Sequence, residues 1–422
     1  MSKNNNNTPR LRFPEFTGEW VEKKLGECFE LLTNSTLSRS DLNNITGKAL
    51  YIHYGDILTK FGETLDVQKM HLPYITNDTI ADKACKSTLK NGDIIIADTA
   101  EDDMVGKCTE IRNIGITPIV SGLHTIPVRP LIEFASGFMG YYLNSESYRA
   151  DLYSLMQGVK VMSISRTAII GTNVKYPSLI LEQEKIASCL SAMDDLIAAQ
   201  AEKVEVLKEK KTGLMQQLFP QPGETTPRLR FPEFTGEWEV KKLGEVASSF
   251  SGGTPKSSES KYYGGDIPFI RSGEIHGCKT ELYITEEGLN KSSAKLVSKG
   301  DLLIALYGAT SGEVAISKID GAINQAILCV RSQSINSNYL CNYLEYKKDT
   351  ITSKFLQGGQ GNLSSDIIMS LNIPSPSPAE QQKIASCLSA LDDQIAAETE
   401  KLTTLKDHKK GLMQQLFPQP AK

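Results

Sequence analysis

The sequence has no uninterrupted apolar run approaching the ~18 residues of a bilayer span, and its start, MSKNNNNTPR, has no apolar centre of the signal-peptide kind. A membrane protein and a secreted protein are not indicated, and the cytoplasm is the expected compartment. Eight cysteines, Cys28, Cys85, Cys108, Cys189, Cys278, Cys329, Cys341 and Cys387, include no C-x-x-C pair, so neither a zinc site nor a redox motif is expected and the thiols read as reduced. The five histidines, His53, His71, His124, His276 and His408, form no ligand cluster either, which leaves a structural metal without candidates. A basic excess is also missing. With 46 Lys and Arg against 50 Asp and Glu, the net charge of -4 gives no support to a chain that binds nucleic acid strongly by itself.

Catalytic signatures are lacking too. There is no G-x-x-x-x-G-K-[ST] phosphate loop, no G-x-S-x-G elbow and no H-E-x-x-H. The nearest glycine-rich cradle, SGGTPK at residues 251–256, lacks the Gly-Lys-[Ser/Thr] ending. The adjacent carboxylates Asp194 with Asp195, and Asp392 with Asp393, read as a solvated helix face rather than an acid/base pair.

What the sequence does have is repetition. Residues 182–222, EQEKIASCLSAMDDLIAAQAEKVEVLKEKKTGLMQQLFPQP, return as a close copy at 380–420. In the first copy Ile186, Leu190, Met193, Ile197, Val204, Leu207, Leu214 and Leu218 follow spacings of three and four, the seam of a helix that packs lengthwise on another helix. The second copy repeats the seam at Ile384, Leu388, Leu391, Ile395, Leu402, Leu405, Leu412 and Leu416. Both end in Leu-Phe-Pro-Gln-Pro, where proline stops the helix. A second repeated unit, TPRLRFPEFTGEW, occupies 8–20 and 226–238, and each copy leads into Lys-Lys-Leu-Gly-Glu. The chain therefore runs box, variable region, helix, box, variable region, helix, which is two copies of one large unit. This order predicts that the chain ends lie near one another, in a roughly two-fold, cyclic arrangement, and that the two helices pair antiparallel within one molecule. Gln200 and Lys211, matched by Glu398 and Lys409, are the polar interruptions expected to fix the register.

The variable regions share a skeleton. Asn-Gly-Asp-Ile-Ile-Ile-Ala at 91–97 and Lys-Gly-Asp-Leu-Leu-Ile-Ala at 299–305 each read as a turn feeding a buried strand. Met-Gln-Gly at 156–158 and Leu-Gln-Gly at 356–358 follow expected helices containing Tyr142 and Tyr343, and a short β-rich run then leads to Pro177 or Pro374. The fold class is thus α+β, with two homologous α/β globular domains separated by two long helices. The expected divisions are 1–181, 182–222, 223–379 and 380–422.

Small-polar, glycine-rich loops recur at equivalent points of the two domains. In the second domain they offer Ser251, Gly252, Gly253, Thr254 and Lys256, then Tyr307, Thr310 and Ser311, then Gly358, Gly359, Gln360 and Asn362, with Tyr262, Tyr263 and Arg271 as further contacts. The first domain offers Ser35, Arg39, Lys107, Lys160, Ser163, Ser165 and Arg166. Such loops allow close backbone approach and supply donors and acceptors for phosphates and base edges. The acidic cluster Asp98, Glu101, Asp102 and Asp103 repels phosphates, so in contact with DNA it is expected to accept from a cytosine amino group, and otherwise to face solvent or a protein.

At this point the chain resembles a specificity subunit of a type I restriction-modification system (the HsdS family), over essentially its whole length. The residues that carry the resemblance are the repeated LRFPEF-x-G-EW-x-x-KKLGE box, SGGTP with YYGGDIPFIRSGEI, KGDLLIALYGATSGEVAI with GAINQAI, and GNLSSDI leading to P-x-x-EQQKIASCLSALDDQI. The resemblance implies two target-recognition domains that each read one half of a bipartite, asymmetric site in double-stranded DNA. It also implies two docked modification (adenine methyltransferase) subunits carrying S-adenosylmethionine, and restriction subunits with ATP and Mg2+ for translocation. This chain itself is then a non-catalytic reader that binds DNA weakly alone. A self-contained enzyme and a structural protein dimerising through its helices are the other classes considered; the first lacks an Asn-Pro-Pro-[Phe/Tyr] methyltransferase motif. A helix of ~35 to 38 residues spans about 50 to 57 Å, or about 15 base pairs of duplex, which suits a spacer between two readers.

Overall fold

The computed structural model describes residues 7–355 and 362–419. Contacts divide the chain into two units, one formed by the residues up to Gln200 with those from Lys401 onward, the other by Ala201–Glu400. Each unit holds one globular domain and one half of each long helix. The helices run over Ile180–Leu218 and Pro378–Leu416, 39 residues each, beginning two residues before the sequence boundaries.

In the first unit the early turns of one long helix pack on the late turns of the other: Ile186, Ala187 and Leu190 share a core with Leu412, Met413 and Leu416. In the second unit the roles reverse, with Leu214, Met215 and Leu218 on Ile384, Ala385 and Leu388. The helices are therefore antiparallel and intramolecular in both. Met193, Val204, Leu207 and Leu391 are buried as well, whereas Ile197, Leu214, Ile395, Leu402, Leu405 and Leu412 are half-buried.

Each helix ends inside a domain core. Phe417 is fully buried against Trp20, Phe138 and Tyr142, and Phe219 against Tyr339, Tyr343 and Tyr346. The repeated box explains its own sequence. Arg12 grips Glu182 with two bonds of 2.8 Å, and Arg230 grips Glu380 at 2.7 and 2.8 Å, so each box clamps the first turn of a long helix. Backbone bonds from Leu11 to Gln415 and from Leu229 to Gln217, at 2.9 and 3.0 Å, repeat the same junction. The first of these brings the chain ends together, as the box-helix order predicts.

The two domains are built on one plan. In the first, strands Phe29–Leu31, Thr125–Pro130, Ile94–Ala97 and Cys108–Arg112 lie side by side and antiparallel, with Thr64–Asp66 added parallel at the edge. In the second, Ala247–Ser251, Ile327–Ser332, Leu302–Ala305 and Val314–Ile316 follow the same order. A second sheet contains one parallel pair in each domain, Ile119–Ser121 with Leu50–Ile52 and Gly321–Ile323 with Tyr263–Ile270. The Gly-Asp turns have a common cause. Gly92 and Gly300 adopt φ of 87° and 97°, where a side chain is strained. The aspartate that follows then takes a backbone N–H and an arginine: Asp93 holds Lys90 N and Arg129, and Asp301 holds Ser298 N and Arg331. The central strands that follow are buried at all four positions.

The solvated-face expectation is met in part: Asp195, Asp392 and Asp393 are exposed, yet two of the four carboxylates are also paired. Asp194 and Asp392 are not simply solvated. Asp194 accepts from Tyr141 and pairs with Lys409, and Asp392 pairs with Lys211, because both sit where the helix face turns toward its neighbours. Lys211 and Lys409 also reach beyond the helix pair, to Glu345 and Glu63 on the domains themselves. Lys203 pairs with Glu398, as a register contact should. All eight cysteines are free thiols, and no helix among the described residues is long and apolar enough to cross a membrane.

Candidate nucleic-acid interface

In the first domain three candidate loops converge on the short segment 122–124, which joins strands Ile119–Ser121 and Thr125–Pro130. Asn34 Nδ2 donates to Gly122 O at 3.0 Å and Ser35 N to Ser121 O at 2.7 Å. Asp98 N donates to His124 O at 3.1 Å, and Ile164 N donates to Asp98 O at 2.9 Å. Strand Met162–Ser163 pairs with Thr99–Ala100, which ties the third loop to the second. Beneath them the buried Tyr51 hydroxyl accepts from Leu123 N and donates to Leu37 O.

The structure thus brings Ser35, Ser163, Ser165 and Arg166 to one place, with exposed Lys160 on the turn between Gln157 and Ser163. Their tasks differ. Arg166 is half-buried and spans Leu32 O and Asn34 Oδ1, so it braces the loops against each other. Ser165 caps helix Arg166–Gly171 by accepting from Ala168 N. Arg39 is tied to Asp56 at 3.0 Å, and Lys107 donates to Leu58 O at 2.9 Å, where burial lowers its pKa. Lys107 is an internal brace in this state, whereas Arg39, in its ion pair, and Lys160 are both exposed.

The acidic loop divides as well. Asp98 lies beside His124, with Oδ1 3.4 Å from Nδ1 and also accepting from Thr99 Oγ1 at 2.8 Å. Asp102 caps its own turn at Met104 N, while Glu101 and Asp103 are exposed. The neighbouring His53 has its pKa lowered by burial and by the charge of Arg39.

The second domain repeats the convergence on segment 324–326. Gly252 N and Gly253 N donate to Asn324 O and Ile323 O, Thr254 Oγ1 donates to Gln325 Oε1 at 2.6 Å, and Leu306 N donates to Ala326 O at 2.8 Å. Leu363 N donates in turn to Leu306 O, which places Asn362 beside the loop carrying Tyr307, Thr310 and Ser311. Gly358, Gly359 and Gln360, with the Leu-Gln-Gly motif, lie outside the described residues.

Several residues read as possible contacts serve the fold instead. A Cβ on Gly252 would sit 1.8 Å from Ile323 O and one on Gly253 2.6 Å from Ser293 Cβ, so the close approach these glycines permit is to the chain itself. Arg271 is held by Glu274 at 3.0 and 3.1 Å and by Glu281 at 2.5 Å, which raises its pKa further. Tyr263 donates to Pro255 O, and Tyr262 backs helix Glu286–Asn290 through its backbone. Ser251 ends its strand, and Lys256 stays exposed.

The two segments at which the loops meet, 122–124 and 324–326, were not among the sequence candidates. A signal existed in the paired GLH and NQA turns, each set between the strands that become Ile119–Ser121 and Thr125–Pro130, or Gly321–Ile323 and Ile327–Ser332.

Comparison with known proteins agrees with this architecture. The family described as type I restriction modification DNA specificity domain matches residues 17–209 and 235–407. A Methanocaldococcus jannaschii chain assigned as the MjaX type I restriction enzyme specificity subunit is 24% identical over 97% of this chain and 96% of its own length. The EcoR124I/EcoR124II specificity subunit of Escherichia coli is 28% identical over 52% of this chain and 58% of its own. Among solved structures, the S subunit of a type I restriction-modification system from M. genitalium aligns over 98% of this chain and 100% of its own, with a TM-score of 0.57 at 17% identity, a likeness of fold. Two matched regions, spanning most of the chain and falling on two domains of one plan, place this protein in the family of type I restriction-modification DNA specificity subunits.

Proposed function

We propose that this chain reads a bipartite, asymmetric DNA site, one half with each globular domain, and holds the enzymes of a type I complex on it. The observation that carries the reading is the pairing of a shared skeleton with different loop residues. The same strand order and the same Gly-Asp turns present His124, Lys160 and an acidic loop in one domain, and Thr254, Gln325 and Tyr307 in the other. Two readers of one shape and different chemistry call for two different half-sites.

The antiparallel helices act as the spacer. At 1.5 Å per residue each is about 58 Å long. Their outer faces, with the repeated boxes, are the docking surface for two modification subunits, which bring S-adenosylmethionine and methylate adenine. Restriction subunits using ATP and Mg2+ complete the assembly in the cytoplasm. This chain supplies recognition and no catalysis, and with its near-neutral charge it relies on its partners for much of the phosphate contact.

Mapping methylated adenines in cells carrying this chain with its modification subunits tests the reading. A split motif that depends on the chain is expected, and exchange of residues 28–181 for another recognition domain should alter one half alone. Absence of any such motif, or alteration of both halves, would overturn it.

A further inference from the structure

We infer that His124 and Gln325 are specificity-determining residues, each the central base-reading side chain of its domain; this rests on the reading of the two domains as DNA readers. Both stand on the segment where the other loops meet, both are exposed, and both project from between two strands buried at their neighbouring positions. A reading residue must hold its direction without help from the DNA. Each of these is fixed by partners that leave one polar edge for a ligand.

His124 adopts φ of 57°, a left-handed conformation uncommon outside glycine, which histidine, with asparagine and aspartate, enters more readily than other side chains. The conformation is held by Asp98 N on its carbonyl and by Leu123 N on the Tyr51 hydroxyl. Tyr54 meets the imidazole edge-on at 5.3 Å. Asp98 Oδ1 at 3.4 Å and Thr99 Oγ1 at 3.5 Å both face Nδ1, which directs the ring proton to that nitrogen and leaves Nε2 as an acceptor. With Glu101 and Asp103 exposed on the loop that follows Asp98, this edge of the first domain is rich in acceptors. It suits a base pair that presents an exocyclic amino group in the major groove, adenine N6 or cytosine N4.

Gln325 is held differently. Thr254 donates to Oε1, which keeps a second lone pair, and Nε2 remains a donor. That is the acceptor-donor pair that matches adenine N6 and N7. Gly252 is required beneath it, since its backbone is what brings Thr254 to the glutamine.

The test uses the assembled complex, with His124→Gly, which suits the positive φ while removing the ring, and Gln325→Ala. Each variant should relax the methylated motif at one position, in different halves, with discrimination against the wrong base falling by about tenfold. Where methylation becomes too weak to map, competition binding with duplexes substituted base by base gives the same readout. An unchanged motif in both variants, or a loss of affinity that is uniform across sequences, would overturn the inference. Exchange of residues 28–181 separates the two levels: if it changes one half-site and His124→Gly changes none, only the role of His124 fails; if it changes neither, the domains are not readers.

Discussion

Lys211 and Asp392 meet across the paired helices at 2.8 Å, and the same ammonium reaches Glu345 on helix Ser337–Phe355 at 2.8 Å. In the other unit Lys409 meets Asp194 at 2.5 Å and Glu63 at 2.6 Å. Lys211 is buried and Lys409 half-buried, and each joins three parts of its unit: helix, partner helix and recognition domain.

Replacing Lys211 with Met keeps most of the volume and leaves two half-exposed carboxylates that water can reach, so the loss should be about 1–2 kcal/mol rather than the larger figure of a fully buried pair. Lys409→Met should behave alike, and urea unfolding followed by circular dichroism measures both. Burial pulls each ammonium's pKa down, and the two facing carboxylates more than offset this, so both stand above the ordinary lysine value of 10.5. The stabilisation is therefore complete below that value and disappears as pH rises past the folded one. Variants that lose nothing at neutral pH would show that the clamp is idle.

Glu110 gives a pH effect nearer neutrality. It is 3% exposed and accepts from Gly137 N at 2.5 Å and Gly140 N at 2.9 Å, at the start of helix Phe138–Asn144. Burial pushes its pKa up from 4.5 to about 7, against the two amides and Arg112, which favour the charged form. A carboxyl raised in the folded state binds its proton more readily there, so the contribution is full below 4.5 and is lost as pH rises through 7. The urea midpoint of the natural protein should fall relative to Glu110→Gln over that window. Parallel profiles would refute a raised value.

Arg271→Ala separates fold from readout. Its guanidinium is committed to Glu274 and Glu281 and is partly exposed, so a loss within about 1 kcal/mol is expected. The methylated motif should stay unchanged when mapped in cells. A motif altered at one position would return Arg271 to the recognition surface.

The helices, the strands after the Gly-Asp turns and the repeat were legible because each depends on local pattern: the seam from Ile186 to Leu218, the run of four buried residues after Asp93, the two prolines after Phe219. The recognition loops were legible as loops and only partly as sites. Arg271 and Glu274 are three residues apart, but Glu281 reaches them only through the turn before strand Leu282–Ile284. The burial of Lys107 likewise depends on Leu58, far away in sequence. His124 and Gln325 were missed because what distinguishes them is other loops arriving, which no local window contains.

The division of the chain also bears on its synthesis. Ala201–Glu400 is one continuous stretch, so its unit's core is drawn from residues made before those at 401–417. The other unit needs Leu416 and Phe417 beside Trp20, Phe138 and Leu190, so its core joins residues that lie almost four hundred positions apart. Closing so long a loop adds a modest entropic cost that grows only with the logarithm of its length. The larger consequence is one of order. The first reader closes its core only once residues 401–417 have been made, and apolar surface left uncovered until then is open to aggregation.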